Sequence, residues 1–371
     1  MEKKLEDRTP ANKTFFELLK KHTVEWEKDD EKQDTQFTHL DAFRSAWNDW
    51  VKTEDNGTIT LDFSRVSFKL KDRQWRLFFH TKTKDPCFNF SSFFFGDSNF
   101  NGATFKEDAY FSGAIFTKEA SFSHAVFNGH ANFSQAMFNG CVHFIDAMFN
   151  KSPNFSKATF TENVNFFNAT FIGGCSFRQA TFEKDLNLNE ISKKDLSKDI
   201  ILDFTNASFK GRFNLENSKN IGRIVFKNAS LYELFVLDSE VMTLVDFSDT
   251  HIEKTAVIKD RDSWLEKLDY NEQDEHALRW LKDYFKSKND YEKEIRYFHH
   301  EMECKLKREK WPHKCFLWLY KKTNLYGTSY IRPLVTLLVL SGVYCLVLRL
   351  FPGDFNSRAI FPFLSIGDGI K

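Results

Sequence analysis

The chain lacks the signs by which several function classes are recognised. It has no net charge, because 52 Lys and Arg stand against 52 Asp and Glu. That balance argues against a whole-molecule nucleic-acid binder, and no nucleic acid is expected as a partner. Six scattered cysteines (Cys87, Cys141, Cys175, Cys304, Cys315, Cys345) form no CxxC pair, and MEKKLEDRTP lacks the apolar core of a signal peptide. Both favour a reducing cytosolic compartment for most of the chain. A mean hydropathy of -0.47 excludes a multi-spanning membrane protein but not one span. No Gly-rich phosphate loop, nucleophile elbow or cluster of metal ligands occurs, so no catalytic, cofactor-binding or metal residue is assigned. His300 and Cys304 lie four apart, but two ligands do not make a site, and they are read as a surface pair. The chain is not read as an enzyme.

What it has in excess is phenylalanine, 43 in 371 residues, and an excess of one type suggests a repeat. From residue 100 the series runs Phe100, Phe105, Phe111, Phe116, Phe122, Phe127, Phe133, Phe138, Phe144, Phe149, Phe155, Phe160, Phe166, Phe171, Phe177 and Phe182. Its steps alternate five and six, so the period is eleven. Two residues before each second Phe stands an alanine, from Ala103 to Ala180, without exception. Before each first Phe the same slot holds Ser98, Ala109, Ala120, Ala131, Val142, Pro153, Val164 and Cys175. On a helix these positions would wrap round every face, and the segment is rich in poor helix formers. In extended backbone, residues i-2 and i share a side. Ala-x-Phe then reads as a very short strand with both side chains inward, followed by a corner.

Stretches such as AIFTKEASFSHAVFNGHANFSQAMF and ATFTENVNFFNATF resemble the pentapeptide-repeat family, whose unit reads A-(N/D)-(L/F)-x-x. The resemblance implies a mainly β solenoid: a right-handed quadrilateral β-helix, four sides and 22 residues to a coil, with the sixteen phenylalanines as an internal ladder. The register extends upstream to Phe63 and Phe68 and downstream to Phe247 and Ile252, giving a solenoid over 58–252 with an insert at about 69–86. Burial at about 2 kcal/mol per Phe makes the ladder a core rather than a ligand-stacking surface.

Outward, the position before each second Phe carries Ile115, Val126, Met137 and Met148 among threonines. With 22 residues per coil, Ile115 stands beside Met137 and Val126 beside Met148 on opposite faces. These four are the candidate face for a protein partner or a second copy. Residues 86–252 intermingle 18 acidic with 14 basic residues, which argues against the DNA mimicry some family members show.

Residues 1–57 read as two amphipathic helices, ended by Asp55-Asn56-Gly57, that cap the open first coil, with Trp47 and Trp50 in the cap core. Residues 253–330 hold a charged helical hairpin and a juxtamembrane segment, its apolar positions being Leu278, Leu281, Tyr284 and Phe285, then Ile295, Phe298, Met302 and Leu306. Residues 331–371 read as one transmembrane helix over 334–351 and a short tail. Lys321, Lys322 and Arg332 lie at its membrane interface. Trp311, Trp318, Tyr320, Tyr326 and Tyr330 form an aromatic belt, and the preceding Lys/Arg excess places the N-terminal side in the cytoplasm. The layout resembles bacterial membrane-associated pentapeptide-repeat proteins, some with a channel-like C-terminus, although Ser365–Gly369 is too poorly placed for a filter. The expectation is therefore a single-pass protein of the inner (plasma) membrane, acting as an interaction scaffold. The alternative is a shortened relative of the channel-like proteins.

Overall fold

The computed structural model describes residues 4, 6, 8–28, 33–53, 60–68, 79–80, 87–193, 200–218, 221–233, 235–238, 245–253, 258–260, 265, 270, 272–329 and 331–350. It divides into two units, Met1–Asp269 and Tyr270–Lys371.

In the first unit, strands of two to five residues stack in parallel into four faces. Face 1 holds nine strands, from Thr60–Asp62 through Asp97–Asn99 and Ala120–Ser121 to Ile258–Asp260. Face 2 holds six, from Ser67–Phe68 to Ser192–Lys193, and face 4 eight, from Phe94–Phe95 to His251–Ile252. Face 3 comes in two runs. Four strands end at Ala131–Asn132, and three begin at Cys175–Ser176. Between them only the single bridges Asn132–Asn154 and Asn154–Ser176 persist, because Pro153 has no N–H to give the ladder. Partners such as Ala120 and Val142 are 22 residues apart, the expected coil. The first rung is wider, Thr60 pairing with Asp97, and the insert there returns Phe79–His80 antiparallel to Cys87–Phe88. A second widening pairs Leu186 with Phe213.

The five-residue steps close through a tight turn in which the Ala103 amide donates to the Phe100 carbonyl at 3.0 Å, a bond repeated at Ala125, Ala147 and Ala169. The residue before each alanine has φ near +60°: Gly102 and Gly113, then His124, Gln135, Asp146, Lys157, Asn168 and Gln179. Most of these corners bear the steric cost of a left-handed L-residue, of order 1 kcal/mol each. Asn132, Asn154 and Asn165 hold the turn from the other side, each accepting through Oδ1 from the amide two residues on. The polar column before each first Phe is thus partly a set of turn caps. In one six-residue step, Gly129 lies so close to the rung above that a Cβ would stand 2.3 Å from the Asp108 nitrogen.

All sixteen ladder phenylalanines are buried. Each stacks nearly parallel on the ring one coil away: Phe100 on Phe122 at 4.8 Å, Phe133 on Phe155 at 5.0 Å, Phe138 on Phe160 at 5.0 Å, Phe127 on Phe149 at 5.0 Å. Strand spacing of about 4.8 Å sets that distance. Rings from the opposite faces 1 and 3 meet edge-on, as Phe122 and Phe133 do at 80°. The small column separates by face. On face 1 it grows from Ser98 through Ala120, Val142, Val164 and Leu186 to Phe213, while its ring partner shrinks from Phe166 to Leu188 and Leu215, all buried. Added volume in one slot is offset in the other, as close packing requires.

Helices α1 (Pro10–Lys28) and α2 (Gln33–Thr53) cover the first coil. Thr9 accepts from the Asn12 amide at the start of α1, and Pro10 occupies its first turn. Phe15 meets Phe63 at 5.2 Å, and Phe43 meets Phe93 at 5.7 Å. Phe93 fills a slot that holds alanine in later coils, because α2 rather than a ring lies beyond it. Two asparagines satisfy the exposed strand edge as a further strand would. Asn12 donates to the Asp62 carbonyl and accepts from its amide, both at 2.7 Å. Asn48 accepts from the Phe94 amide at 2.8 Å and donates to the Ser92 carbonyl at 2.9 Å. Trp47 is buried and donates to the Phe94 carbonyl, while Trp50 is half-buried. Asp55–Gly57 lies outside the described residues.

In the second unit, α3 (Glu272–Ser287) and α4 (Tyr291–Arg308) form the hairpin. Asp290 caps α4 by accepting from the Lys293 amide at 3.1 Å. Its first turn carries Glu292 and Glu294 and its last Lys305, Lys307 and Arg308, each sign favourable to the helix dipole. Leu278, Leu281, Tyr284 and Phe285 are buried as read from the sequence. On α4 the buried set differs: Tyr297, Glu301, Met302 and Cys304 turn inward, whereas Ile295 is exposed and Phe298 and Leu306 are half-buried. The physical reason is Glu301, whose carboxylate accepts from Arg279 (3.1 Å), Lys282 (2.8 Å) and Lys305 (2.7 Å). Helices α5 (His313–Asn324) and α6 (Ile331–Leu350) follow.

Candidate interaction surfaces

Two surfaces could meet a partner. On face 4 the outward row runs Phe94, Ile115, Met137, Thr159 and Thr181. Ile115 and Met137 are in direct register, and at 42% exposure Met137 is the most open of the four apolar candidates. Phe94 does not extend this row freely, because Lys52 lies 4.7 Å over its ring. On face 2 Val126 and Met148 pair between Thr104 and Thr170, both half-buried. The four residues therefore form two separate pairs, each two rungs tall.

The larger apolar surface is in the second unit. On α6, Leu334, Val335, Leu337, Leu338, Val339, Leu340, Val343 and Leu346 are each half or more exposed. On α5 and just before it, Trp311 (80%), Phe316, Trp318 (53%) and Leu319 are exposed. Among the described residues no helix is long and apolar enough to cross a membrane. The crossing expected over 334–351 is thus not found. The side chains of Tyr344, Val347, Leu348 and Leu350 lie outside the described residues, as do Phe351 and Ser365–Gly369.

A buried anchor holds the connection between α5 and α6. Leu325, Tyr326 and Gly327 all have positive φ, and a Cβ on Gly327 would stand 2.6 Å from the Tyr320 hydroxyl. The Tyr326 hydroxyl donates to Glu303 at 3.1 Å, and its pKa is pushed well up by burial and by that carboxylate. Lys321 pairs with Glu303 at 2.7 Å, and His299 hydrogen-bonds Thr328. Burial lowers the His299 pKa. One expectation is corrected here: Tyr326 does not belong to an exposed aromatic belt, being 2% exposed. Of the three residues expected at a membrane interface, Lys321 is half-buried and engaged by Glu303, whereas Lys322 and Arg332 are exposed. Tyr330 lies outside the described residues.

The His300–Cys304 reading also changes. Cys304 is buried rather than at the surface, its thiol raised to about 12 by burial and then by Asp274 and Glu275. His300 sits against the Tyr270 hydroxyl at 3.1 Å. Among the described residues no group of His, Cys, Asp or Glu could hold a metal ion. Burial alone would raise the Glu301 carboxyl, but hydrogen bonds from Lys282, Lys305 and Arg279 prevail and hold it at about 2. These groups stabilise the hairpin.

The family model of pentapeptide repeats (nine copies) matches residues 89–126, 111–152 and 144–192. Those are the coils in which the left-handed corners and stacked rings recur without interruption. Residues 89–192 are pentapeptide repeats. The parallel β-ladder continues past the matched segment in both directions, to Thr60 and to Asp260. No curated protein and no solved structure matches the chain. The expected likeness to membrane-associated, channel-like members is therefore carried by no relative.

Proposed function

We propose that this chain is a non-enzymatic interaction scaffold attached to the cytoplasmic side of a bacterial inner membrane. The pentapeptide-repeat solenoid offers rigid faces to a protein partner, and α6 provides the attachment. The observation that carries the reading is the apolar surface of α6, exposed on every side of the described helix. Such a helix is covered by lipid or by protein, because exposed apolar area on this scale is unfavourable in water. Lys310, Lys314, Lys321, Lys322 and Arg332 precede its apolar run with no acidic residue among them, which favours the cytoplasmic side. The paired rows Ile115–Met137 and Val126–Met148 are the proposed contact points of the solenoid.

Fractionation tests the attachment. The full chain should stay with membranes through a high-salt wash, and Leu338→Arg with Leu340→Arg should release it. Recovery of the unaltered chain in the soluble fraction would overturn the attachment. For the solenoid rows, Ile115, Val126, Met137 and Met148 to Ser should abolish crosslinking to the partner in native membranes without lowering the melting temperature. Unchanged crosslinking removes those rows from the interface.

A further inference from the structure

We propose that the outward face of α5, with Phe316, Trp318 and Leu319 flanked by Lys314 and Lys322, rests on the surface of an anionic lipid bilayer. This deepens the membrane reading above and depends on it. The face is defined by what α5 turns inward. Leu317 is half-buried and Lys321 is tied to Glu303 of α4 at 2.7 Å, so the remaining arc points away from the hairpin. That arc is apolar at its centre, with Phe316, Trp318 and Leu319 all more than half exposed.

Charge selects the occupant. From Lys310 to Leu350 the sequence contains no Asp or Glu. Lys310, Lys314 and Lys322 are exposed and make no ion pair among the described residues. The Arg332 guanidinium, also exposed, donates to the Lys321 carbonyl at 3.3 Å. A protein groove able to match this surface would have to supply every anion itself. An anionic bilayer supplies phosphates at the level where lysines emerge and an acyl boundary for the aromatic and leucine side chains between them. Geometry agrees. The buried Tyr326 and the His299–Thr328 hydrogen bond fix the turn after α5 against α4, and only residues 325–330 separate α5 from α6. If α6 enters lipid, α5 is held within about 20 Å of that point.

Two native cysteines separate this inference from the reading beneath it. Cys315 is exposed on α5 and Cys345 on α6, while Cys87, Cys175 and Cys304 are buried. In the full chain with Cys141→Ala, an environment-sensitive thiol dye is placed at Cys315 (with Cys345→Ser) or at Cys345 (with Cys315→Ser). Each protein is reconstituted into vesicles of phosphatidylcholine, with or without phosphatidylglycerol, carrying a lipid-borne quencher. With phosphatidylglycerol both dyes should shift to the blue and be quenched. The Cys315 signal should weaken in phosphatidylcholine alone and at high salt. Lys314→Gln with Lys322→Gln should lower the affinity of α5 for the anionic surface roughly thirtyfold. Quenching at Cys345 but not Cys315 overturns the inference and leaves the attachment standing, and quenching at neither overturns both. Equal quenching of Cys315 in both lipids, indifferent to salt, overturns the role of headgroup charge. A blue shift at Cys315 that grows with protein concentration in the absence of vesicles assigns the face to a second copy and also overturns it.

Discussion

The two units are stabilised by opposite means. In the solenoid, a neutral core repeats itself: ring lies on ring at 4.7 to 5.3 Å along the ladder. In the hairpin, the centre is charged. Glu301 is buried among Arg279, Lys282 and Lys305, and Glu275 is buried between Arg279 and Arg308. The stacked rings carry no group that titrates, whereas a buried carboxylate depends on the protonation and presence of each partner. The core of one unit is therefore insensitive to protonation and the core of the other depends on it.

Three substitutions sharpen that contrast. Phe133→Ala opens a gap between Phe111 and Phe155 and should cost the solenoid about 4 kcal/mol in denaturant unfolding, leaving the hairpin's transition where it was. Glu301→Gln should cost the hairpin about 3 kcal/mol, because the buried carboxylate's three charge-assisted hydrogen bonds to the partly exposed Arg279, Lys282 and Lys305 are lost. That loss should carry a pH signature. The Glu301 carboxyl, ordinarily near 4.5, lies at about 2 in the folded protein. Its contribution is complete above the ordinary value and disappears as pH falls towards 2. Acid titration followed by circular dichroism should show that slope in the native hairpin and not in the Gln variant. A solenoid transition with the same slope would break the comparison. The smallest effect is a gain. Gln135, Lys157 and Gln179 to Gly relieve three left-handed corners and together should stabilise the solenoid by about 1.5 kcal/mol, glycine's own entropy offsetting part of the relief.

Legibility in the sequence follows the same division. The ladder could be read because one residue type recurs at a fixed interval; burial followed from that period, and the 22-residue pairing from it together with the four-sided coil that the family resemblance implies. The left-handed backbone of the corners could not. After Gly113 their column reads His124, Gln135, Asp146, Lys157, Asn168 and Gln179, with no glycine to mark a positive φ. In the hairpin, α3 was read correctly, since its inward face is apolar. The inward face of α4 was read only at Met302, because hydrophobic periodicity treats a glutamate as solvated and so prefers Ile295 to Glu301. The same bias assigned Tyr326 to an aromatic belt, although its hydroxyl finds Glu303 inside the fold. The rows Ile115–Met137 and Val126–Met148 were placed correctly by arithmetic on the coil length, whereas their exposure required coordinates.

The growth of face 1 from Ser98 to Phe213 gives the array a direction. A coil lifted from the Ser98 rung and grafted at the Phe213 rung would arrive with the wrong girth, either straining its neighbours or leaving a hollow beneath them. Lengthening by gene duplication is easiest in the middle, where adjacent coils are nearly alike, and each terminus keeps its own mating surface. The register of a solenoid built this way is thus numbered from within, and a misaligned splice is rejected by packing before any partner encounters it.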